Sequence, residues 1–213
     1  MKDEKGRLNK LTFDGSGKIN HAILQSGEFE GGILCEECDN NILGGEERYV
    51  AKILYGKNFE NPPIRESYNF NGSRELLKFS NFDYKRFKLF ILWRSSISSR
   101  PMFNYLSLGE TLEDEIKKVI NDGDAREDTK FPIILSTWRY SSKEERGIVS
   151  SPISIEISGG ISYLYIINGL AYWVFSSEEI IPKELKELRL KSDGTVILYD
   201  LPEILKKYID NKA

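Results

Sequence analysis

Residues 31–45 read GGILCEECDNNILGG, and this stretch holds both cysteines of the 213-residue chain. Cys35 and Cys38 are separated by two residues, which is the C-x-x-C spacing. Two thiolates at this spacing can converge on one tetrahedral metal ion or cycle through a disulfide, and both uses need a short loop. A structural zinc ion takes four protein ligands, so the cysteines by themselves predict only half a site.

A β-hairpin is predicted just upstream of the cysteines. Residues 8–13 and 18–24 are short strand-like runs. They are joined by Asp14-Gly15-Ser16-Gly17, which supplies the positive-φ positions of a tight turn.

A helix is predicted downstream of the cysteines, because Asp39 and Asn40 are typical helix caps and apolar residues then recur at helical spacing over residues 46–54. The hairpin and this helix form a predicted unit over residues 1–56. Residues 57–213 form the rest, packed with it as one unit.

Two central helices are predicted next. Ser80 with Asp83, and Thr111 with Asp114, have the spacing of a capping box. Residues 82–97 carry a wide apolar face that includes Ile97, so this helix is predicted to be the most buried one. Its solvent side is predicted to carry a basic strip, which consists of Lys85, Arg86, Lys88, Arg94 and the nearby Arg100.

The pattern changes to antiparallel strands in the C-terminal part. Four runs rich in β-branched and aromatic residues are separated by Ser-, Gly- or Asn-Gly-containing turns. They are residues 132–139, 153–158, 161–167 and 170–176. A short strand over 196–199 and a last helix beginning near Asp200 complete the prediction. The fold class is therefore α+β, with an N-terminal hairpin and helix, central helices and a C-terminal antiparallel sheet.

Aromatic residues alternate along these C-terminal strands. Half of them are predicted to enter the core, and the other half to face outward as a binding surface. The set consists of Trp138, Tyr140, Tyr163, Tyr165, Tyr172, Trp173 and Phe175.

Composition narrows the function classes. The formal net charge of -3 argues against a protein that lives on nucleic-acid phosphates, which usually has a clear cationic excess. No apolar run approaches the roughly 18 residues that a bilayer-spanning helix needs, so no membrane partner is expected. The charged N-terminus shows no secretory signal, and two closely spaced cysteines fit a reducing cytoplasm.

The segment from Gly32 to Asn40 resembles the L-C-x-x-C-[H/D]-N segment of HNH-type endonucleases and of bacterial HNH-like proteins. Residues 92–97 and 108–110 are similar to the same group, and the likeness extends from about Leu8 to Ile120. The resemblance implies a treble-clef fold, in which a hairpin is followed by a helix whose start carries two zinc ligands. Cys35 and Cys38 would be those ligands, and zinc the metal.

The chain departs from this family pattern in two respects. The first C-x-x-C knuckle and the histidine-bearing segment that precede the hairpin in the family have no counterpart here, and Asp39 occupies a position that is often histidine. His21 is the only histidine of the chain and therefore the only conventional base near neutral pH, but no neighbouring Asn-His pair accompanies it. A redox-active dithiol is the other reading of the cysteines, although Glu36 and Glu37 are expected to raise both thiol pKa values by like-charge repulsion.

The leading hypothesis is a non-catalytic, degenerate HNH-like protein that binds another macromolecule, with a protein partner first and a nucleic acid second. Trp173, Tyr165 and Arg94 are the predicted binding residues. The alternative is a metal-dependent nuclease that acts through His21 or is completed by a partner chain, so the sequence leaves open whether the protein is an enzyme.

Overall fold

The structure, a computed structural model, describes residues 8–13, 19–24, 32–55, 65–69, 73–78, 81–122, 129–137, 150–167 and 170–200. Its α-helices are α1 (Gly44–Tyr55), α2 (Asn81–Ile97) and α3 (Glu110–Asp122). Its strands are β1 (Leu8–Phe13), β2 (Ile19–Leu24), β3 (Arg65–Asn69), β4 (Ser73–Lys78), β5 (Ile133–Thr137), β6 (Ile153–Ile157), β7 (Gly160–Ile167), β8 (Leu170–Phe175) and β9 (Thr195–Asp200). A π-helical turn spans Cys38–Leu43, and 3-10 helices span Pro101–Phe103 and Lys183–Leu188.

The α+β fold class is confirmed. None of the described helices has the length and apolarity needed to cross a bilayer.

Seven of the described strands form one sheet in the order β3-β4-β9-β5-β8-β7-β6, while β1 and β2 pair separately as the predicted hairpin. Neighbouring strands of the large sheet are antiparallel, except that β5 and β9 are parallel. The predicted C-terminal antiparallel strands are thus confirmed. The strands β3 and β4 were not predicted from the sequence. The polar sequence of β3 becomes a strand through its pairing with β4, not through its own hydrophobic pattern.

A two-residue turn joins β6 to β7. Ser158 and Gly159 have φ values of +52° and +78°, and Ile157 pairs with Gly160 across the turn. Positive φ at both central positions defines the type I′ turn that matches the twist of a hairpin. A side chain at position 160 would collide with Ile180, so glycine allows the segment that carries Ile180 to lie directly on the sheet.

One face of the large sheet packs against α2 and α3. Leu89 and Leu92 of α2 are fully buried and belong to the same core cluster as Tyr172 and Val174 of β8. The prediction that α2 is a central, buried helix is confirmed for this part of it. Ile97, which was assigned to the buried face, is instead 38% exposed at the end of the helix.

The opposite face of the sheet is covered by residues 180–188. Trp173 and Phe175 of β8 pack there in a second core cluster with Ile181, Leu185 and Leu188. This cover was not predicted from the sequence. Because both faces of β8 are buried, its sequence LAYWVF is a nearly continuous apolar run rather than a polar–apolar alternation.

The helical region that contains the cysteines begins earlier than predicted. The Asp39 N–H donates to the Cys35 carbonyl at 3.0 Å, so helical bonding starts at the cysteine pair. Asp39 and Asn40 lie inside the π-helical turn, and the prediction that they cap the following helix was wrong. Leu43 and Val50 then bury in the same core cluster as α2, which joins this part of the predicted first unit to the rest.

The start of α3 shows a similar displacement. The Glu113 N–H donates to the Gly109 carbonyl at 3.0 Å, and α3 begins at Glu110. Thr111, the predicted cap, therefore lies within the first helical turn.

Some predicted features fall outside the described residues. They are the turn at 14–17, the Ser80 cap, Trp138, Tyr140, the Asn168-Gly169 turn and the last helix beyond residue 200.

The predicted basic strip on α2 is overturned for three of its helical members. Lys88 is fully buried and Lys85 is 3% exposed, while the Arg86 side chain forms an ion pair with Glu46 of α1 at 3.1 Å. The Lys85 amine donates to the Lys130 carbonyl at 2.5 Å. These cations point inward because α1 and the segment around residue 130 cover the flanks of α2 that the sequence pattern assigned to solvent. Arg94, one turn before the end of the helix, is only partly buried.

The Lys88 amine lies among aromatic rings. Its Nζ atom is 3.8 Å from the ring centroid of Tyr172, 4.7 Å from that of Phe87 and 5.2 Å from that of Tyr84. No described residue offers this amine a hydrogen bond. Burial lowers the pKa of Lys88 well below its ordinary value, because the charged form is separated from water.

We expect Lys88→Met to stabilise the protein by about 1–4 kcal/mol at pH 7, since it replaces a buried amine by an apolar side chain of similar length. The unfolded chain keeps an ordinary lysine pKa near 10.4, so between the lowered folded pKa and about pH 10 the unfolded state binds more protons. Wild-type stability should therefore rise with pH over this window, and the advantage of Lys88→Met should shrink. Urea unfolding at several pH values from 7 to 10 measures both effects.

Lys85→Met is the matched control for Lys88→Met. This neighbouring lysine has a carbonyl partner, so its removal should cost on the order of 1 kcal/mol instead of stabilising the fold. A stability gain from Lys88→Met that stays constant across the pH range would contradict the buried-amine explanation.

Candidate functional site

The cysteine pair forms a compact thiol site at the start of the helical region. The Cys35 and Cys38 thiols are hydrogen-bonded to each other with an Sγ–Sγ distance of 3.1 Å, and the Cys38 N–H donates to the Cys35 sulfur at 3.4 Å. Cys35 is exposed and Cys38 is partly buried, and both are free thiols. The structure thus confirms that the C-x-x-C spacing brings the two sulfur atoms together.

The two thiols have opposite pKa shifts. The Cys38 thiol, followed by the Cys38 N–H, stabilises a negative charge on Cys35 and lowers the pKa of Cys35 below its ordinary value. The pKa of Cys38 is raised, chiefly because its proton is engaged by Cys35. The expectation that Glu36 and Glu37 raise both pKa values was therefore wrong for Cys35, where hydrogen bonding outweighs the charge of Glu37.

The donor set around the cysteines does not fit a complete structural zinc site. In the part of the chain that the structure describes, no group of three or more His, Cys, Asp or Glu side chains is placed to hold a metal ion. Cys35 and Cys38 would supply two of the four ligands that such a site needs. His21 lies in β2 opposite Leu11, and its side chain is outside the described residues.

A groove lies between the cysteine loop and the C-terminal end of α2. Its volume is about 260 Å³. The residues lining it come from the loop before Cys35, from the last two turns of α2 and from the segment that follows α2. They are Ile33, Ile91, Arg94, Ser95, Ser98, Arg100, Met102 and Phe103.

Packing and hydrogen bonds position the segments that line the two sides of this groove. Leu34, next to Ile33, packs against the main core cluster and holds the cysteine loop against the body of the protein. The Ser95 hydroxyl donates to the Ile91 carbonyl at 2.8 Å within α2. Pro101 follows Arg100, whose extended backbone (φ -70°, ψ 135°) directs the chain into the 3-10 helix that carries Met102 and Phe103.

Contacts between α2 and α3 fix the direction of the helix end. The Ser96 hydroxyl donates to the Glu113 carboxylate, and the Leu108 N–H donates to the Ser96 hydroxyl oxygen at 3.3 Å. Residues 92–97 and 108–110, which the sequence analysis grouped by their family resemblance, are therefore neighbours in the fold.

The groove is lined by apolar side chains and by the guanidinium groups of two arginines, Arg94 and Arg100. Arg94 forms no hydrogen bond or ion pair with any described residue, whereas Arg100 has further interactions. None of the described lining residues is acidic. A guanidinium group binds a carboxylate or phosphate through up to two parallel hydrogen bonds. The groove can therefore hold an anionic group attached to an apolar body.

Sequence reasoning found only part of this groove. Arg94 was predicted as a binding residue and Arg100 as a member of the basic strip, and both line the groove. Ile33, Met102 and Phe103 were missed, because nothing in their local sequence indicates that the cysteine loop meets the end of α2.

The predicted aromatic binding surface is overturned for the five of its seven residues that the structure describes. Trp173 and Tyr165 are each only 1% exposed, and they belong to the two core clusters on opposite faces of the sheet. Tyr163, Tyr172 and Phe175 are buried as well. The prediction that alternate residues of these strands lie on opposite faces of the sheet is correct. The prediction that one of the two faces is open to solvent is wrong for these residues.

The buried tyrosines form hydrogen bonds and ring contacts in the protein core. The Tyr165 hydroxyl donates to the Lys88 carbonyl at 3.0 Å, and its ring stacks on Tyr172 with a centroid distance of 5.2 Å. The Tyr84 hydroxyl donates to the Tyr172 hydroxyl at 3.3 Å. Burial raises the pKa of Tyr165 well above its ordinary value, so this hydroxyl stays neutral as a hydrogen-bond donor.

Comparisons with protein-family models, with curated proteins and with solved structures gave no significant match. The resemblance to HNH-type proteins stays a prediction from the sequence.

Trp173→Ala should destabilise the fold by about 3–5 kcal/mol, because it removes a large buried side chain and leaves a cavity under residues 180–188. Urea unfolding measures this loss. Tyr105→Ala, at a position that is 61% exposed, should change stability by no more than about 0.5 kcal/mol. A surface role for Trp173 would instead give two variants of nearly equal stability.

Proposed function

We propose that this protein is a non-catalytic, HNH-like interaction module that binds an acidic segment of a partner protein in the groove between the cysteine loop and α2. The observation that carries the proposal is Arg94, a guanidinium group on an apolar-lined groove that no described residue neutralises. The partner is expected to place a carboxylate against Arg94 and Arg100 and an apolar side chain against Met102 and Phe103.

The volume of the groove limits the size of the group that can bind in it. A volume of about 260 Å³ is slightly below the range of pockets that enclose whole small-molecule ligands. It is enough for one or two side chains of a bound segment. Such an anchor, surrounded by a polar rim, is typical of the central contacts of a protein interface.

Charge favours a protein partner over a nucleic acid. The chain has a net charge of -3, and Glu36, Glu37 and Asp39 are exposed close in sequence to Ile33 on one side of the groove. Nucleic-acid binding gains affinity from many neutralised phosphates, and these carboxylates oppose that. A short acidic segment needs only the local field of the two arginines.

We also place the protein in the cytoplasm within this proposal. The chain has only two cysteines, close together in sequence, which fits a reducing compartment better than the disulfide framework of a small secreted domain.

A fluorescence-polarisation assay tests the groove with a labelled peptide that contains leucine and phenylalanine among aspartates and glutamates. We expect the wild-type protein to bind this peptide, and a peptide with asparagine and glutamine at the acidic positions to bind at least about tenfold more weakly, since charge-assisted hydrogen bonds are worth roughly 1.5–3 kcal/mol. Arg94→Glu should reduce binding by at least a similar factor.

Lys117→Glu is the matched control for Arg94→Glu. It makes the same change in net charge on the exposed surface of α3, away from the groove, and should leave binding nearly unchanged. Equal effects of the two substitutions, or tighter binding of single-stranded or duplex DNA than of the acidic peptide, would contradict the proposal.

The second candidate function is a metal-dependent HNH-type nuclease. The observation that favours it is the Cys35–Cys38 pair at the start of a helical segment, downstream of the hairpin that carries His21. Zinc would be held by both thiolates, and the missing ligands would come from a partner chain or from residues outside those described.

Elemental analysis of the purified protein, combined with a plasmid-cleavage assay, separates the two candidates. If the protein is an interaction module, we expect no stoichiometric metal. We also expect no plasmid cleavage that depends on His21, as tested with His21→Ala. Stoichiometric zinc that disappears in Cys35→Ser, together with cleavage that depends on His21, would establish the nuclease instead.

A further inference from the structure

We propose that Cys35 and Cys38 form a thiol–disulfide exchange site for low-molecular-weight disulfides, in which Cys35 is the attacking sulfur and Cys38 the resolving sulfur. This site is chemically separate from the groove, and its function does not depend on a bound partner protein.

The distance between the sulfur atoms is the first observation behind this proposal. They are 3.1 Å apart, and a disulfide bond requires about 2.05 Å. Cys35 lies just before the helical region and Cys38 opens its π-helical turn, so the two sulfur atoms need to approach by only about 1 Å for the bond to form.

The two sulfur atoms also differ in access and in hydrogen bonding. Cys35 is exposed, its sulfur accepts a hydrogen bond from the Cys38 N–H, and the two thiols are hydrogen-bonded to each other. Cys38 is partly buried, with its sulfur in contact with that of Cys35. An incoming disulfide therefore meets Cys35 first, and the second thiol is already positioned to attack the mixed disulfide that results.

The exchange is balanced with a small disulfide as the oxidant. The Cys35 thiolate attacks one sulfur of the disulfide, which forms a mixed disulfide and releases one small thiolate. Cys38 then loses its proton and attacks the Cys35 sulfur, which releases the second small thiolate. The protein gives up two electrons and two protons, and the oxidant leaves as two thiols.

The charge around Cys35 indicates which disulfides react fastest. Glu36, Glu37 and Asp39 are exposed beside the cysteine pair. Their carboxylates attract a cationic disulfide such as cystamine and repel the anionic glutathione disulfide. At equal concentrations and low salt, cystamine should react faster.

The experiment uses the full chain in its reduced form, incubated in mixtures of reduced and oxidised glutathione, quenched with acid and alkylated with N-ethylmaleimide. Intact-mass measurement should show a species that has lost two hydrogen atoms and takes up no maleimide, and its fraction should increase as the mixture becomes more oxidising. Circular dichroism of the same samples verifies that the protein stays folded.

Two single substitutions assign the roles of the sulfur atoms. Cys38→Ser should trap a glutathione adduct on Cys35, and Cys35→Ser should form its adduct on Cys38 on the order of tenfold more slowly. Repeating the wild-type measurement with cystamine tests the charge preference. The proposal is overturned if the folded wild type keeps two free thiols in the most oxidising mixture, or if the two substituted proteins form adducts at equal rates. Stoichiometric zinc that protects both thiols would overturn it as well.

Discussion

The burial of the central strands on both faces is the constraint on which the rest of this structure depends. In β8 the side chains alternate between two cores, with Tyr172 packed under α2 and Trp173 packed under residues 180–188. A strand covered on both sides favours apolar residues along its length, and β8 therefore has no open face for recognition. The described aromatic residues of β7 and β8 therefore stabilise the fold. Gly160 contributes to the same constraint, because only the smallest residue lets Ile180 approach the sheet so closely.

The same packing explains the unusual polar interior of α2. A helix that is covered by the sheet on one side and by α1 on another has few positions left for its cations. Arg86 is neutralised by Glu46, Lys85 reaches a backbone carbonyl, and Lys88 lies among aromatic rings with no hydrogen bond from a described residue. Hydrogen bonds and ion pairs offset part of the cost of burying such groups, and in Lys88 the pKa shifts instead. Helical periodicity places Lys88 correctly on the helix, yet it cannot say how many sides of that helix are covered.

The two candidate sites, the groove at Arg94 and the cysteine pair, both lie at the surface of the packed core. The end of α2, beyond the reach of the sheet, still exposes part of Arg94, and the cysteine loop meets it there to form the groove. The cysteine pair lies on the loop side of the same region, where it is reachable from solvent because Cys35 precedes the first buried turn of the helix. The two proposed activities therefore share a neighbourhood but use different groups: guanidinium groups and apolar walls for the bound segment, and sulfur atoms for exchange.

Local pattern was enough to predict the α+β class, the N-terminal hairpin, the α2 and α3 helices, the C-terminal strands, and the contact between Cys35 and Cys38, since all of these arise between residues close in sequence. The pattern did not predict β3 and β4, which pair through the sheet, or the 3-10 helix at Lys183–Leu188 that covers it. The sign of the Cys35 pKa shift depended on a hydrogen bond that competes with a nearby charge, and spacing alone does not rank these effects. Burial is decided by every element that packs around a residue. For this reason only the tertiary structure removed Trp173 and Tyr165 from the surface and joined Ile33 to Arg94 in one groove.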